Sequence, residues 1–127
     1  MGKMQRTKGA SAERELLARL NEGLGINLSR NLKQTREGGA DCDDLEGFSL
    51  EIKRQETLCL PDWWRQANEQ AGDKIPVLAY RQSRKPWSFV LDLYDLCPDV
   101  YLSRSKDIYL TATISMQAFI AFVRQRM

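Results

Sequence analysis

Three stretches place this chain in the α/β class. Leu16, Leu17, Leu20 and Leu24 recur at helical spacing; Phe48 to Arg54 alternates apolar and polar residues; and Pro61 to Gly72 has helix signals just before the apolar run Ile75 to Tyr80. Helix, strands, helix and further strands in that order predict a small mixed sheet flanked by helices. With 127 residues and 43% hydrophobic content, the chain is expected to form one domain over residues 1–127.

Residues 1–8 are polar and carry Lys3, Arg6 and Lys8 without an acid, which predicts a mobile basic tail. A helix follows from Ser11, a good N-cap, and stops at Gly23 or Gly25. Glu13 shares the inward face of this helix with the leucines. Ile26 to Leu32 alternates as a first strand, with Arg30 as the exception at its middle. Lys33 to Gly39 reads as a basic, glycine-containing loop that another chain, such as a DNA backbone, can approach closely. Asp41 to Leu45 and Phe48 to Arg54 read as a hairpin turning at Glu46-Gly47.

In the helix after Leu60, Pro61 suits the first turn, Asp62 complements the positive end, and Trp63 and Trp64 are expected in the core. Ile75 to Tyr80 and Trp87 to Leu93 form the next two strands, so that Arg81, Arg84 and Lys85 crowd one hairpin end. Tyr94 to Leu102 reads either as a short helix or as irregular chain. Asp107 to Thr113 reads either as an edge strand or as an extended connection. Ser115 caps a last helix that packs through Met116, Phe119, Ile120 and Val123.

Composition removes several chemistries. The chain contains no histidine, which rules out Ser-His-Asp hydrolysis and the usual zinc enzymes. Cys42, Cys59 and Cys97 are odd in number and unpaired in spacing, so they read as small buried hydrophobes of a reducing compartment. No apolar run approaches the roughly 20 residues that span a bilayer, and the first residues lack the apolar stretch of a secretory signal. No membrane association is expected, and the expected location is cytoplasmic, with phage or bacterial nucleoid. A net charge of +2 says little by itself about nucleic acid.

The chemistry is expected on the polar face of the strand around Glu51. There Ser49, Glu51 and Lys53 point away from Leu50 and Ile52, and Asp41 lies ten positions before Glu51. Two carboxylates and an ammonium can converge there, which suits a hard divalent cation on oxygen ligands and metal-assisted phosphodiester hydrolysis. Asp43 and Asp44 are alternative ligands to Asp41 on spacing alone. An ammonium among acids acts by stabilising developing charge rather than as a free base.

The residues Gly38-Gly39-Ala40-Asp41, Leu50-Glu51-Ile52-Lys53-Arg54 and Trp64-Arg65-Gln66-Ala67 resemble the PD-(D/E)xK nuclease superfamily. Lys8-Gly9-Ala10-Ser11-Ala12-Glu13-Arg14-Glu15-Leu16 is similar to the opening of its archaeal and phage Holliday junction resolvase branch. The resemblance covers about Lys8 to Leu93, and Asp41 follows Ala40 where the family has a proline. It implies a restriction-endonuclease-like α-β-β-β-α-β core with a small mixed central sheet. It implies Asp41 and Glu51 as Mg2+ ligands, with Mn2+ as a substitute, and Glu13 completing the shell. Lys53 is implied beside the attacking water or the phosphate, and Gln66 as support from the next helix.

The expected activity is endonucleolytic cleavage of branched DNA such as four-way junctions, by a homodimer whose two-fold axis matches paired incisions. Lys8, Lys33, Arg36, Arg54, Arg81, Arg84 and Lys85 are the expected DNA-binding residues. A nuclease for linear, flap or single-stranded DNA, and a non-catalytic DNA-binding or regulatory module, are the alternatives.

Overall fold

The first helix, α1 (Lys3–Leu24), starts eight residues earlier than its N-cap signal at Ser11 suggests. Lys, Met, Gln and Arg are nearly as good helix formers as Leu, so the basic segment continues the helix, and Ser11 sits inside it on the exposed side. This structure is a computed structural model that describes residues 3–32 and 39–127, with side chains described from residue 9. Gly25 ends α1 with φ +69°. Its N–H and that of Ile26 both reach the Asn21 carbonyl, at 2.8 and 3.3 Å, closing the helix with a left-handed turn.

The expected first strand over 26–32 does not join the sheet. Asn21 clasps Leu28 through both its amide atoms, at 2.6 and 3.1 Å, and Ser29 donates to Asp44 from backbone and side chain. Side-chain bonds thus take up backbone groups that a sheet ladder would otherwise pair. The first arm of the expected hairpin is similarly reduced to one antiparallel bridge, Cys42 to Leu50.

Four strands form the sheet, in the order β1-β2-β3-β4: β1 (Phe48–Arg54), β2 (Ile75–Arg81), β3 (Ser88–Asp92) and β4 (Thr111–Ser115). β1 and β2 are parallel and are joined by α2 (Leu60–Ala71), whereas β2, β3 and β4 pair antiparallel. The sheet is therefore mixed and flanked by helices on both faces. On one face α1 and α4 (Met116–Arg126) bury Leu16, Leu20, Leu50, Val77, Phe89 and Phe119, with the Phe89 and Phe119 rings stacked at 4.5 Å. On the other face α2 lays Trp63, Trp64 and Ala67 over Leu78 and Val90. The double tryptophan is core, as its residue type suggests.

The two ambiguous stretches resolve into short elements. Asp92 caps α3 (Leu93–Leu96), accepting from the Tyr94 N–H at 3.0 Å, and Arg104 grips the buried Asp95 through two bonds of 2.7 and 2.8 Å, pinning the loop that follows. A 3₁₀ turn, Ile108–Leu110, then leads into β4. Ser115 caps α4 by accepting the Ala118 N–H. Of the three cysteines, Cys42 is buried but Cys59 and Cys97 are exposed, because they sit at a helix start and a helix end rather than inside the sheet. Among the described residues no helix is long and apolar enough to cross a membrane.

Candidate active site

The alternation of β1 decides where the chemistry can sit. Phe48, Leu50 and Ile52 face the α1 and α4 side, so Glu51 and Lys53 face α2. Glu51 is 1% exposed, and neither of its carboxyl oxygens has a hydrogen-bond partner of normal geometry. Burial, then the neighbouring Asp41 charge, pushes its pKa up to about 8, and Lys53 partly offsets this. Lys53 is half-buried, two residues further along the same face, and has no ion-pair partner among the described residues.

Asp41 is brought beside Glu51 by the edge of the sheet. Cys42 and Leu50 exchange backbone bonds of 3.2 and 3.0 Å, and where this bridge stops the Asp41 carboxylate accepts the Ile52 N–H at 2.7 Å. The segment before it is held from two directions. Gln70 on α2 accepts the Gly39 N–H at 2.7 Å, while Asn31 donates to the Ala40 and Asp41 carbonyls at 3.0 and 2.8 Å. Gly39 has φ +103°, a backbone state that side chains disfavour. Of the alternative acids, Asp43 is exposed. Asp44 is turned to Cys42 and Ser29, whose hydrogen bonds outweigh the opposing effect of burial and hold its carboxyl below the usual range.

Glu13 is half-buried on α1 and forms an ion pair with Arg30 at 2.7 Å. Burial raises its pKa, the Arg30 bond lowers it, and the Asp41 charge raises it further, which places Asp41 within electrostatic reach of both Glu13 and Glu51. Among the described residues no three acids or thiols form a ready metal-binding group. Asp41 and Glu51 interact electrostatically as neighbours, while Glu13 is drawn to Arg30. Gln66 is half-buried on α2 and makes no hydrogen bond to these carboxylates. The link from α2 runs one turn further on, through Gln70.

The expected DNA-contacting residues divide. Arg54 donates to Ser83 at 2.6 Å and lies 3.6 Å from Glu56. Arg81 pairs with Glu15 at 3.0 Å over the Trp87 ring. Both are tied into the structure, whereas Arg84 and Lys85 stand exposed on the turn between β2 and β3. Lys33 and Arg36 lie outside the described residues, as does the side chain of Lys8. Gln70 and Asn31 are site neighbours that sequence pattern does not single out, and Arg30 stands out only as a break in the expected strand, because each acts through a hydrogen bond or ion pair to a residue distant in sequence.

A family model described as "Phage putative PDDEXK endonuclease" matches residues 4–121. The chain belongs to this endonuclease family. The match takes in Glu13, Asp41, Glu51 and Lys53, so the acids and lysine named above lie within the PDDEXK endonuclease domain. No curated protein matches the chain. Among solved structures, the PDDEXK endonuclease is similar to that of Archaeoglobus fulgidus Hjc, a Holliday junction resolvase from an archaeal hyperthermophile. The TM-score is 0.49 at 19% identity, covering 88% of this chain and 87% of that one.

Proposed function

We propose that this endonuclease is Mg2+-dependent, hydrolyses phosphodiester bonds in branched DNA, and works as a homodimer. The observation that carries the metal reading is Glu51. Burying this carboxyl without a hydrogen-bond partner of normal geometry is costly, and ionising it beside Asp41 adds repulsion, so without a cation it keeps its proton. A hard cation would relieve both, and an all-oxygen donor set suits Mg2+, with Mn2+ as a substitute. Asp41 and Glu51 fit that role. Glu13 joins them directly or through water once it leaves Arg30.

A bound divalent cation supplies charge neutralisation at a phosphate oxygen and activation of a water. The chain's own residues do the remaining work. Lys53, free of ion pairs among the described residues, stabilises the charge that develops on the scissile phosphate. Asp41 is locked by the Ile52 N–H, so the acid pair needs little reorganisation. Gln66, which does not bond the acids here, supports the site from α2 once metal and DNA are bound, whereas Gln70 already holds the Asp41 segment. The preference for branched DNA rests on the resemblance of Lys8 to Leu16 to the resolvase opening, and the homodimer on the two-fold symmetry of a four-way junction.

The test is cleavage of a synthetic four-way junction and a matched linear duplex in Mg2+. Selective nicking of the junction is expected. Equal cutting of both moves the reading to linear, flap or single-stranded DNA, and no cutting with any divalent metal overturns it.

A further inference from the structure

The sheet carries a second feature on the same face as Glu51 and Lys53. Lys53 is the register partner of Tyr80, Tyr80 of Ser88, and Ser88 of Ser115, so one row of polar side chains crosses all four strands. Residues paired across neighbouring strands project to the same face. The burial pattern agrees, since Val77, Ala79 and Phe89 pack on the opposite side with α1 and α4, and Leu78 and Val90 on this one with α2. In the neighbouring row inward, Glu51, Leu78 and Val90 are buried, the last two beneath the tryptophans, while Thr113 at the edge strand is exposed. The polar row runs along the margin of that cover, where Tyr80 packs against the cluster and both Tyr80 and Ser88 are half-exposed.

Neither hydroxyl has a hydrogen-bond partner among the described residues. The Tyr80 ring is in contact with Trp63, centroid to centroid 6.4 Å, which restricts its rotamers. Ser115 at the far end is occupied as the cap of α4. Beside the row stand the exposed Arg84 and Lys85, with Arg84 at φ +63°. At about 4.8 Å between strands, the distance from Lys53 to Ser88 is roughly 10 Å, about the reach of the next one or two phosphates along a DNA strand.

We propose that Tyr80 and Ser88 form a track for the DNA strand on one side of the cut, donating hydrogen bonds to successive backbone phosphates, with Arg84 and Lys85 as its cationic bank. This rests on the endonuclease reading for the position of the scissile phosphate at Lys53. It adds residues that the acid cluster does not include and a direction in which the bound strand leaves the site. The donors are neutral hydroxyls at the centre and cations at the margin, so the two groups differ in how salt affects their contribution.

The experiment is fluorescence anisotropy with labelled four-way junction in EDTA, which blocks cutting, repeated across a salt series. Tyr80→Phe and Ser88→Ala should each weaken binding by about five- to tenfold with an unchanged salt slope, since one solvent-accessible hydrogen bond carries about this much. Arg84→Ala/Lys85→Ala should reduce the slope by about two. Ser88→Glu, which places a carboxylate in the path, should weaken binding more than tenfold. Gln125→Glu, the same charge change at the exposed end of α4, should change it less than twofold.

Circular dichroism confirms that each variant is folded before it is compared. If Tyr80→Phe, Ser88→Ala and Ser88→Glu all bind like the unaltered protein while that protein still cuts DNA in Mg2+, the track is wrong and the endonuclease reading stands. If the protein binds with these losses but cuts nothing, the track stands and the catalytic reading falls. A protein that binds no DNA overturns both.

Discussion

The Asp41 carboxylate accepts the Ile52 backbone N–H at 2.7 Å, so a candidate metal ligand also completes the hydrogen bonding of the strand that carries Glu51. Asparagine keeps an acceptor oxygen in that place and alanine does not. Asp41→Asn should therefore fold with near-normal stability and lose cleavage. Asp41→Ala should lose cleavage and also about 1–3 kcal/mol in urea unfolding, because a buried N–H is left without a partner. Equal stabilities of the two variants would show that the bond contributes nothing.

The pKa of Glu51 makes stability depend on pH in an unusual direction. Its carboxyl stands at about 8 in the folded chain against an ordinary 4.5, burial being the main cause and Asp41 the next. Below that ordinary value both folded and unfolded chains hold the proton. Between the two values the folded chain keeps a proton that the unfolded chain releases, so stability falls as pH rises, by up to about 1.4 kcal/mol per pH unit, and levels off above the folded value. Thermal melts of metal-free protein between pH 5 and about 9 should show this decline. Glu51→Gln should flatten it, and Mg2+ should restore stability at the alkaline end.

Lys53→Ala should reduce cleavage at least about a hundredfold, the scale of removing one positioned charge-stabilising donor, while junction binding in EDTA changes less than about threefold. Single-turnover rates and anisotropy separate the two effects. A variant that cuts normally would remove Lys53 from the chemistry.

Gln70 predicts a positioning effect at a distance from the acids. Gln70→Ala frees the Gly39 N–H, should cost about 1 kcal/mol of stability, and should raise the Mg2+ concentration needed for half-maximal cleavage. Gln70→Glu keeps an acceptor and should recover most of the metal response. A purely structural contact would move the melting temperature and leave the metal titration unchanged.

Much of the sheet was legible in the chain. The alternation around Leu50 and Ile52 assigns Glu51 and Lys53 to one face without any tertiary information, and Pro61, Asp62 and Gly72 mark α2 closely. The segments before β1 were less so. The period-two pattern of Ile26 to Leu32 is real, but Asn21, Asp44 and Asp41 capture its backbone, and no local pattern announces bonds spanning 7 to 15 residues. The inward position of Glu13 followed from the spacing of leucines. Its pairing with Arg30 did not, since the two are 17 residues apart. Gln66 and Gln70 lie one turn apart on α2, and the choice between them depends on where Gly39 comes to rest.

β1 ends the sheet on one side, and its outer rim is covered by a single bridge at Cys42 followed by the Asp41 carboxylate. A bare rim of this kind invites a strand from another molecule to add on, and an inward-turned acid is one of the devices that discourages it. The same side chain thus discourages strand addition along this one edge, apart from any dimer formed through another surface. An apolar replacement at residue 41 should make the protein prone to aggregate as well as inactive, a failure that measurements of cutting alone would mistake for a purely chemical loss.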